Sequence, residues 1–436
     1  MRRLLMIVYH FPPLTTSGTY RSLQFARYLP RYGWKPTVLT IRPECLAEPG
    51  LLDDEPLRSL PEEVRVLRSI DPEPLRRILG WRDRLLGKAG GNGSTPGADP
   101  AVAERRGVTW RDWLSDCFSL PDRQMGWIPV AAWRAGRLLQ EGGFDGVYSS
   151  APPASVHLAA LLASRGSGVP WIADFRDPWV SNRFLPVRST SFLDPIDRSL
   201  EGKVVRAADR VVANTVELAD DFRNRYALPA DHFAIISNGY DPEETPAPDD
   251  APEPGGPFTI THAGTLYGRR DPAPLFRAIR LLLDRGALAP DDLRVRLLGT
   301  AGPEPRWEHW LADPDLARMI RFEPKVRRDE AFRVLAASDL LLLIQAGTEL
   351  QVPRKLFDYL SVGRPILAMV TPGATRNIVL REGLGVAVGP EDPEALADRV
   401  LEAMRAPRGV FHGKPSRFDF RRLTGELAEL LEETRS

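Results

Sequence analysis

Residues 352–365 read VPRKLFDYLSVGRP. They follow an apolar run, Asp339 to Gln345 (DLLLLIQ), and a short polar loop, Ala346 to Gln351. An unbroken run of this kind marks a strand buried on both faces of a parallel sheet. Pro353 suits a first helical turn, where its missing N–H leaves no bond unmade. Gly363 and Pro365 then end the helix. The stretch is therefore a strand, a loop and a short helix. The start of that helix offers unpaired N–H groups and a partial positive charge, which favour an anion. Lys355 adds a full charge in the first turn, and Asp358 follows on the same face. A cation for phosphates beside a carboxylate for sugar hydroxyls meets the needs of a nucleoside-diphosphate site. A core helix carrying a solvated Lys and Asp is the alternative that the local sequence leaves open.

The same alternation extends in both directions. In the second half, strands are predicted at Phe258 to Gly264, Leu293 to Gly299, Ile320 to Glu323, Asp339 to Ile344, Pro365 to Val370 and Gly385 to Val388. Helices fall between them at Ala273 to Arg285, Trp307 to Met319, Asp329 to Ala337, Pro353 to Val362, Pro372 to Glu382 and Pro393 to Arg405. A last helix, Phe418 to Glu433, comes after this sheet is complete. In the first half, strands are predicted at Leu4 to His10, Thr37 to Ile41, Val64 to Ser69, Gly146 to Ser150, Trp171 to Phe175, Arg210 to Thr215 and Phe233 to Ser237. Helices follow Thr19 and cover Ala154 to Ala163, Asp197 to Ala207 and Val216 to Tyr226. Strand–helix alternation implies α/β layers with helices on both faces of a parallel sheet. Between Asp71 and Asp112 the pattern fails, and 89–100 (AGGNGSTPGADP) reads as a mobile insertion. Asp241 to Pro257 (DPEETPAPDDAPEPGGP) has almost no apolar side chains and is read as a linker. The expected domains are 1–245 and 256–412, with 413–436 as a C-terminal helical segment.

Composition narrows the function classes. The chain has 436 residues, too many for one ordinary domain. Hydrophobic content is 43% and charged content 27%, as in soluble globular proteins. A formal net charge of zero argues against nucleic acid as the main partner. Cys45 and Cys117 make no metal or disulfide pattern, which fits a reducing cytoplasm. The opening MRRLLMIVYHFPP has too brief an apolar run for a signal sequence and is read as a buried strand.

In doubly wound sheets ligands collect at the carboxyl ends of strands, which here implies a cleft between two domains. Three loops there carry chemistry. The first is Thr15 to Thr19, with Ser17 and Gly18 at a helix start and Arg21 behind them. Gly18 permits close backbone approach, with an ordinary turn as the alternative. The second is Asp174-Phe175-Arg176-Asp177-Pro178-Trp179, in which Asp174, Arg176 and Asp177 are the candidate catalytic residues. An internal salt-bridge cluster is the alternative for them. The third is Gly264 to Arg270 (GTLYGRR), whose glycine, hydroxyl and two guanidiniums suit a pyrophosphate, with a solvated Arg pair as the alternative.

These residues carry a resemblance to the GT-B glycosyltransferases of the retaining family 4 group. It rests on YHFPPLTTSGTYRSLQFARYLPRYGWKPTVLT, YSSAPPASVHLAALLA, PWIADFRDPW, ISNGYD, THAGTLYGRRDPAPLFRAI and VPRKLFDYLSVGRPIL, in the family's order over nearly the whole chain. The resemblance implies two facing Rossmann-like doubly wound domains, an acceptor site mainly in the first and a nucleotide-sugar site mainly in the second. It implies a final helix that crosses back to the first domain. It also implies hexosyl transfer without a metal or other cofactor, because positive side chains and a helix terminus stabilise the departing diphosphate. Gly264, Thr265, Arg269, Arg270, Lys355, Leu356 and Asp358 then correspond to donor contacts, with Asp358 where the family usually has a ribose-binding Glu. Ser17, Gly18 and Arg21 correspond to the acceptor and phosphate loop. Two positions depart from the family. Leu350, beside Glu349, replaces a Glu that contacts the donor sugar, and Arg176 stands where many members have a His. His157 and His262 rank lower, because a lone His among apolar residues is more often packed.

The function expected from the resemblance is retaining transfer of a sugar from a nucleotide-diphosphate sugar to a glycan, lipid-linked or small-molecule acceptor, as in polysaccharide biosynthesis. The alternatives are a nucleotide-sugar epimerase or hydrolase of the same fold, or a non-catalytic GT-B scaffold. The segment 75–88 (LRRILGWRDRLLGK) has five basic residues against one acid, with apolar residues near helical spacing around Trp81. It reads as a contact with an anionic membrane, the inner face for a cytoplasmic enzyme. An ordinary surface helix is the alternative.

Overall fold

The computed structural model describes residues 1–16, 18–45, 52–72, 120–182, 193–244, 252, 255–302, 307–408 and 415–435. These divide into two compact units. The first holds the described residues up to Asn238 together with the last helix from Phe420. The second holds those from Gly239 to Asp419.

The first unit is built on a seven-stranded parallel sheet. Its strands are β1 (Arg2–Val8), β2 (Trp34–Ile41), β3 (Arg65–Ser69), β4 (Gly146–Ala151), β5 (Trp171–Phe175), β6 (Arg210–Ala213) and β7 (Phe233–Ile235), in the order β3-β2-β1-β4-β5-β6-β7. Leu4, Leu5, Met6 and Ile7 are wholly buried, as a continuous apolar run in a covered sheet must be. Pro36 is tolerated in β2 because it precedes the first pair with β3, Thr37↔Arg65, so its missing N–H falls where β2 has one neighbour. The helices are α1 (Thr19–Tyr28), α2 (Trp127–Gln140), α3 (Ser155–Ser164), α4 (Asp194–Ala207) and α5 (Val216–Tyr226). Helix α2 was absent from the sequence reading. Its buried stripe is Trp127, Ala131, Ala135 and Leu139, and Trp127 Nε1 donates to Ser69 Oγ at 2.8 Å.

The second unit has a six-stranded parallel sheet, β8 (Phe258–Ala263), β9 (Leu293–Leu298), β10 (Ile320–Glu323), β11 (Leu340–Gln345), β12 (Ile366–Val370) and β13 (Gly385–Val388), in the order β10-β9-β8-β11-β12-β13. Helices α6 (Ala273–Asp284), α7 (Pro314–Met319), α8 (Arg328–Ala336), α9 (Arg354–Val362), α10 (Ala374–Arg381) and α11 (Pro393–Arg405) flank it. The helix expected over Trp307 to Met319 is divided. A 3-10 segment, Glu308–Ala312, ends at Asp313, whose Oδ1 then accepts from Asp315 N at 2.9 Å and Leu316 N at 3.2 Å to start α7. A residue before proline is pushed out of the helical region, so Asp313-Pro314 stops one helix and caps the next. Tyr240, just before the expected linker and inside the expected first domain, belongs to the second unit. Its N–H donates to Phe418 O at 2.9 Å, and its ring joins the cluster around Phe357 and Leu360.

Helix α12 (Phe420–Arg435) packs on the first unit. Leu423, Leu427 and Leu431 are buried with Tyr20, Leu23 and Tyr28 of α1. Phe420 meets Tyr20 and Phe25 edge-to-face, with centroids 5.5 and 5.7 Å apart.

Candidate functional site

In each parallel sheet the strand order reverses between the first and fourth strands, β1/β4 and β8/β11, and doubly wound folds bind ligands at that point. In the second unit the β8–β11 ladder consists of Leu340↔Ile260 and Leu341↔Thr261. Beyond it, side chains bridge the two strands. Tyr359 Oη accepts from Ala263 N at 2.9 Å and donates to Leu342 O at 3.1 Å. His262 Nδ1 donates to the same carbonyl at 2.9 Å. That bond fixes the tautomer and leaves Nε2 as an acceptor.

Lys355 reaches this gap from the first turn of α9, its Nζ 3.2 Å from His262 Nε2. Gly264, at φ +130°, makes room for it, since a Cβ there would lie 2.6 Å from Nζ. Lys355 has no carboxylate within ion-pair distance among the described residues. Burial, and then the Arg270 charge, pull its pKa down to about 7 against the pull of Asp358. Burial, and then Lys355, hold His262 well below its usual range, so its imidazole is neutral.

Arg270 is fixed at the strand ends. Its Nε and Nη2 donate to Gln345 Oε1 at 3.2 and 3.0 Å, and Nη1 to Tyr267 Oη at 3.0 Å. Arg269 is exposed and lies over Gly347, where a Cβ would come 2.6 Å from its Nη1. Thr265 is exposed, and its Oγ1 accepts from Thr300 Oγ1 at 3.1 Å. Gly264, Arg269, Arg270 and Lys355 thus gather at the ends of β8 and β11 and at the start of α9. Leu356 and Asp358, two further expected donor contacts, meet other parts of the protein. The Leu356 side chain is wholly buried in the core with Phe357 and Leu360, because its helical position faces the sheet. Asp358 Oδ1 accepts from Arg328 Nη2 at 3.0 Å, and Arg328 also pairs with Glu244 at 2.6 Å.

The first unit differs from the sequence expectation more sharply. Asp174 is 0% exposed and faces inward. It accepts from Arg21 Nε and Nη2 at 2.9 and 2.8 Å, from Tyr148 Oη at 2.6 Å and from Ser150 Oγ at 2.7 Å. Burial alone would raise its pKa, but Arg21 and these hydrogen bonds hold it below the carboxylate range. Arg21 completes its own set on Ser237 O at 2.6 Å and Ile236 O at 2.8 Å. Neither residue presents its charge to a ligand. Asp174, expected as catalytic, and Arg21, expected as a phosphate contact, are thus bonded to each other inside the unit. Arg176 is likewise committed. Its guanidinium donates to the carbonyls of Ala151, Pro152 and Gly18, the last at the α1 start. Asp177 alone of the three is partly exposed. Gly18 faces His10 Cδ2 and Arg176 Nη1, both close to where a Cβ would lie. Ser17 and the 75–88 segment lie outside the described residues.

Sequence reasoning did not single out His10, and His262, ranked low as a packed residue, is wholly buried. Burial, and then Arg176, lower His10 to about 4. His157 is packed, as ranked, with its ring centroid 4.3 Å from that of Phe175 and Nδ1 2.8 Å from Ser149 Oγ. Among the described residues no group of three or more His, Cys, Asp or Glu could hold a metal ion, and no helix is long and apolar enough to cross a membrane.

Residues 94–244 match the family model Glycosyltransferase Family 4, and residues 257–406 match Glycosyl transferases group 1. A D-inositol 3-phosphate glycosyltransferase of Streptomyces scabiei is 27% identical over 219 residues, 46% of this chain and 47% of that protein. That of Rhodococcus jostii is 26% identical over 334 residues, 70% of this chain and 68% of that protein. The chain spans about half the length of the first two such relatives it matches. Among solved structures, Anabaena Alr3699/HepE in complex with UDP has a TM-score of 0.62 at 14% identity, covering 99% of this chain and 100% of that one. Sucrose-phosphate synthase from Thermosynechococcus elongatus has a TM-score of 0.64 at 14% identity, covering 99% of each. At that identity the likeness shows the fold, which is the two-domain Rossmann-like GT-B fold.

Proposed function

The chain belongs to the family 4, group 1 glycosyltransferases, and from that premise we propose that it transfers a sugar from a nucleoside-diphosphate sugar to a glycan, lipid-linked or small-molecule acceptor, with retention at the anomeric carbon. The observation that carries the proposal is Lys355 at the switch point of the second sheet: an ammonium with a neutral partner, an open glycine beside it and a fixed arginine nearby. A diphosphate is the anion such a place suits. In the proposed reaction the bond from the anomeric carbon to the diphosphate oxygen breaks as the acceptor hydroxyl forms its own bond on the same face, and the hydroxyl proton passes to the departing phosphate. Negative charge grows on the diphosphate as this happens. Lys355, Arg269, Arg270 and the start of α9 would stabilise it where it develops, which is where fixed charge is most effective. UDP is the first nucleotide to test, since the Anabaena protein of like fold was crystallised with UDP and with UDP-glucose.

The test is a thermal-shift panel of UDP-, GDP- and ADP-sugars, followed by product analysis with and without acceptor alcohols. A midpoint raised by one nucleotide class supports the donor site, because a ligand that binds the folded state stabilises it by mass action. Sugar transfer seen only with acceptor supports the transferase. Release of free sugar or an epimerised donor without acceptor would make it a hydrolase or an epimerase. No response across the panel would leave a scaffold without donor chemistry.

A further inference from the structure

We propose that His262 is a positioning residue that aims Lys355 at the donor diphosphate, and that diphosphate binding is therefore linked to uptake of a proton by Lys355. The inference rests on the donor site assigned above and deepens it. His262 is wholly buried, and its Nδ1–H is committed to Leu342 O. Its Nε2 lone pair can then only accept, and Lys355 Nζ is the donor it meets. The contact holds the end of a flexible side chain over Gly264, where any larger residue would collide with it. A neutral acceptor aims an ammonium without neutralising it. A carboxylate in the same place would hold the charge permanently and weaken the pull on a phosphate.

The charge on Lys355 is consequently set by what else faces it. From the loop after β8 comes Arg270, which opposes protonation; from its own helix comes Asp358, which favours it but is shared with Arg328 and Arg354. From β8 comes neutral His262, and from β11 neutral Gln345, which occupies Arg270. With burial added, the free ammonium loses its proton near pH 7. An anionic diphosphate beside Nζ raises that value in the complex. The sign follows: below about pH 7 both free and bound forms are charged and affinity is flat, and above it the free form is neutral while the bound form is charged, so binding takes up a proton and weakens as pH rises.

Isothermal titration of UDP-glucose, GDP-mannose and ADP-glucose decides the matter, because their diphosphate diesters keep constant charge over the range used. For the sugar nucleotide that binds, Kd should rise roughly tenfold from about pH 6.5 to about pH 8. Titration in two buffers of different ionisation heat should show uptake approaching one proton at the upper end. Lys355→Arg, which stays charged, should bind with a flat pH profile and no proton uptake. His262→Leu should weaken binding about tenfold, and His262→Gln, which restores an acceptor, should recover part of it. Binding by wild type with a flat Kd and no uptake overturns this inference and leaves the donor site standing. No binding of any of the three at any pH overturns both. If the His262 variants do not fold, Lys355→Arg, at a partly exposed position, carries the test.

Discussion

Arg21 and Asp174 form a two-pronged ion pair inside the first unit, Nε to Oδ2 at 2.9 Å and Nη2 to Oδ1 at 2.8 Å, with both side chains almost wholly buried. The pair ties α1 to β5, and through Arg21 to the carbonyls of Ile236 and Ser237 after β7. Tyr148 and Ser150 of β4 supply the remaining donors to Asp174. A buried charge with every partner in place fixes geometry; with one partner removed it becomes a desolvated charge alone.

Asp174→Ala should therefore destabilise the protein by about 3–5 kcal/mol. The change is read as a lower urea midpoint. The folded carboxyl is held below its ordinary range, so its contribution is full above the unfolded pKa, about 4, and fades as pH falls through the lower folded value. Stability of Asp174→Asn should be lower at neutral pH and should fall less steeply than wild type on acidification below about pH 4. Parallel acid-side slopes would show that Asp174 is not the group being titrated.

Gly264→Ala and Lys355→Ala should separate structure from binding. The first forces a side chain into φ +130°, a cost of about 1–3 kcal/mol, and drives a methyl against Lys355 Nζ. It should lower both the melting midpoint and nucleoside-diphosphate affinity. Lys355→Ala removes one charge-assisted contact, about 1.5–3 kcal/mol of binding, and should leave the fold intact. Calorimetric titration with UDP beside thermal melts checks both. Unchanged affinity in Lys355→Ala would take α9 out of the site.

Where the sequence was legible, it was because the physics is local. Strands Trp171–Phe175, Ile320–Glu323 and Gly385–Val388 and helices Val216–Tyr226 and Pro393–Arg405 have the bounds that the residues alone suggest. The two helices carry their own start signals: Thr215 Oγ1 accepts from Leu218 N at 3.1 Å, and Asp392 Oδ1 from Ala395 N at 2.9 Å ahead of Pro393. Helix α2 escaped because two of its four buried positions are Ala, too small for a strong apolar stripe. The site was legible in part for the same reason. Lys355 follows from its place in a first turn, and Gly264 from its place after a strand. The roles of Asp174 and His262 depend on partners 153 and 93 residues away, Arg21 and Lys355, which no local pattern reveals.

Asp358→Ala and Arg328→Ala should act in opposite directions on the nucleoside. Asp358 is shared between Arg328 at 3.0 Å and Arg354 at 3.8 Å, all partly exposed, so either substitution should change stability by less than about 1 kcal/mol. If its free carboxylate oxygen serves the ribose, Asp358→Ala should weaken UDP binding and leave inorganic pyrophosphate binding unchanged. Arg328→Ala releases the carboxylate and should hold or improve UDP affinity. Equal losses for UDP and pyrophosphate in Asp358→Ala would assign the residue to the charge balance around Lys355 instead.

Asp177→Asn addresses the chemistry. Asp177 is the most accessible of the three candidates, and its charge acts on Arg176 next to it. Arg176 in turn supports the α1 start through Gly18 O. Removing the Asp177 charge should therefore lower kcat more than donor affinity, the pattern of an interaction made chiefly in the transition state. Arg176→Lys should behave differently. A single ammonium cannot reach the three carbonyls that the planar guanidinium bridges, so the loss should appear in the melting midpoint. Steady-state kinetics with the best sugar nucleotide, set beside thermal melts of both variants, distinguishes the two. Equal losses of kcat and donor affinity in Asp177→Asn would place this residue in donor binding, and a lower melting midpoint with kcat retained would make it part of the Arg176 support.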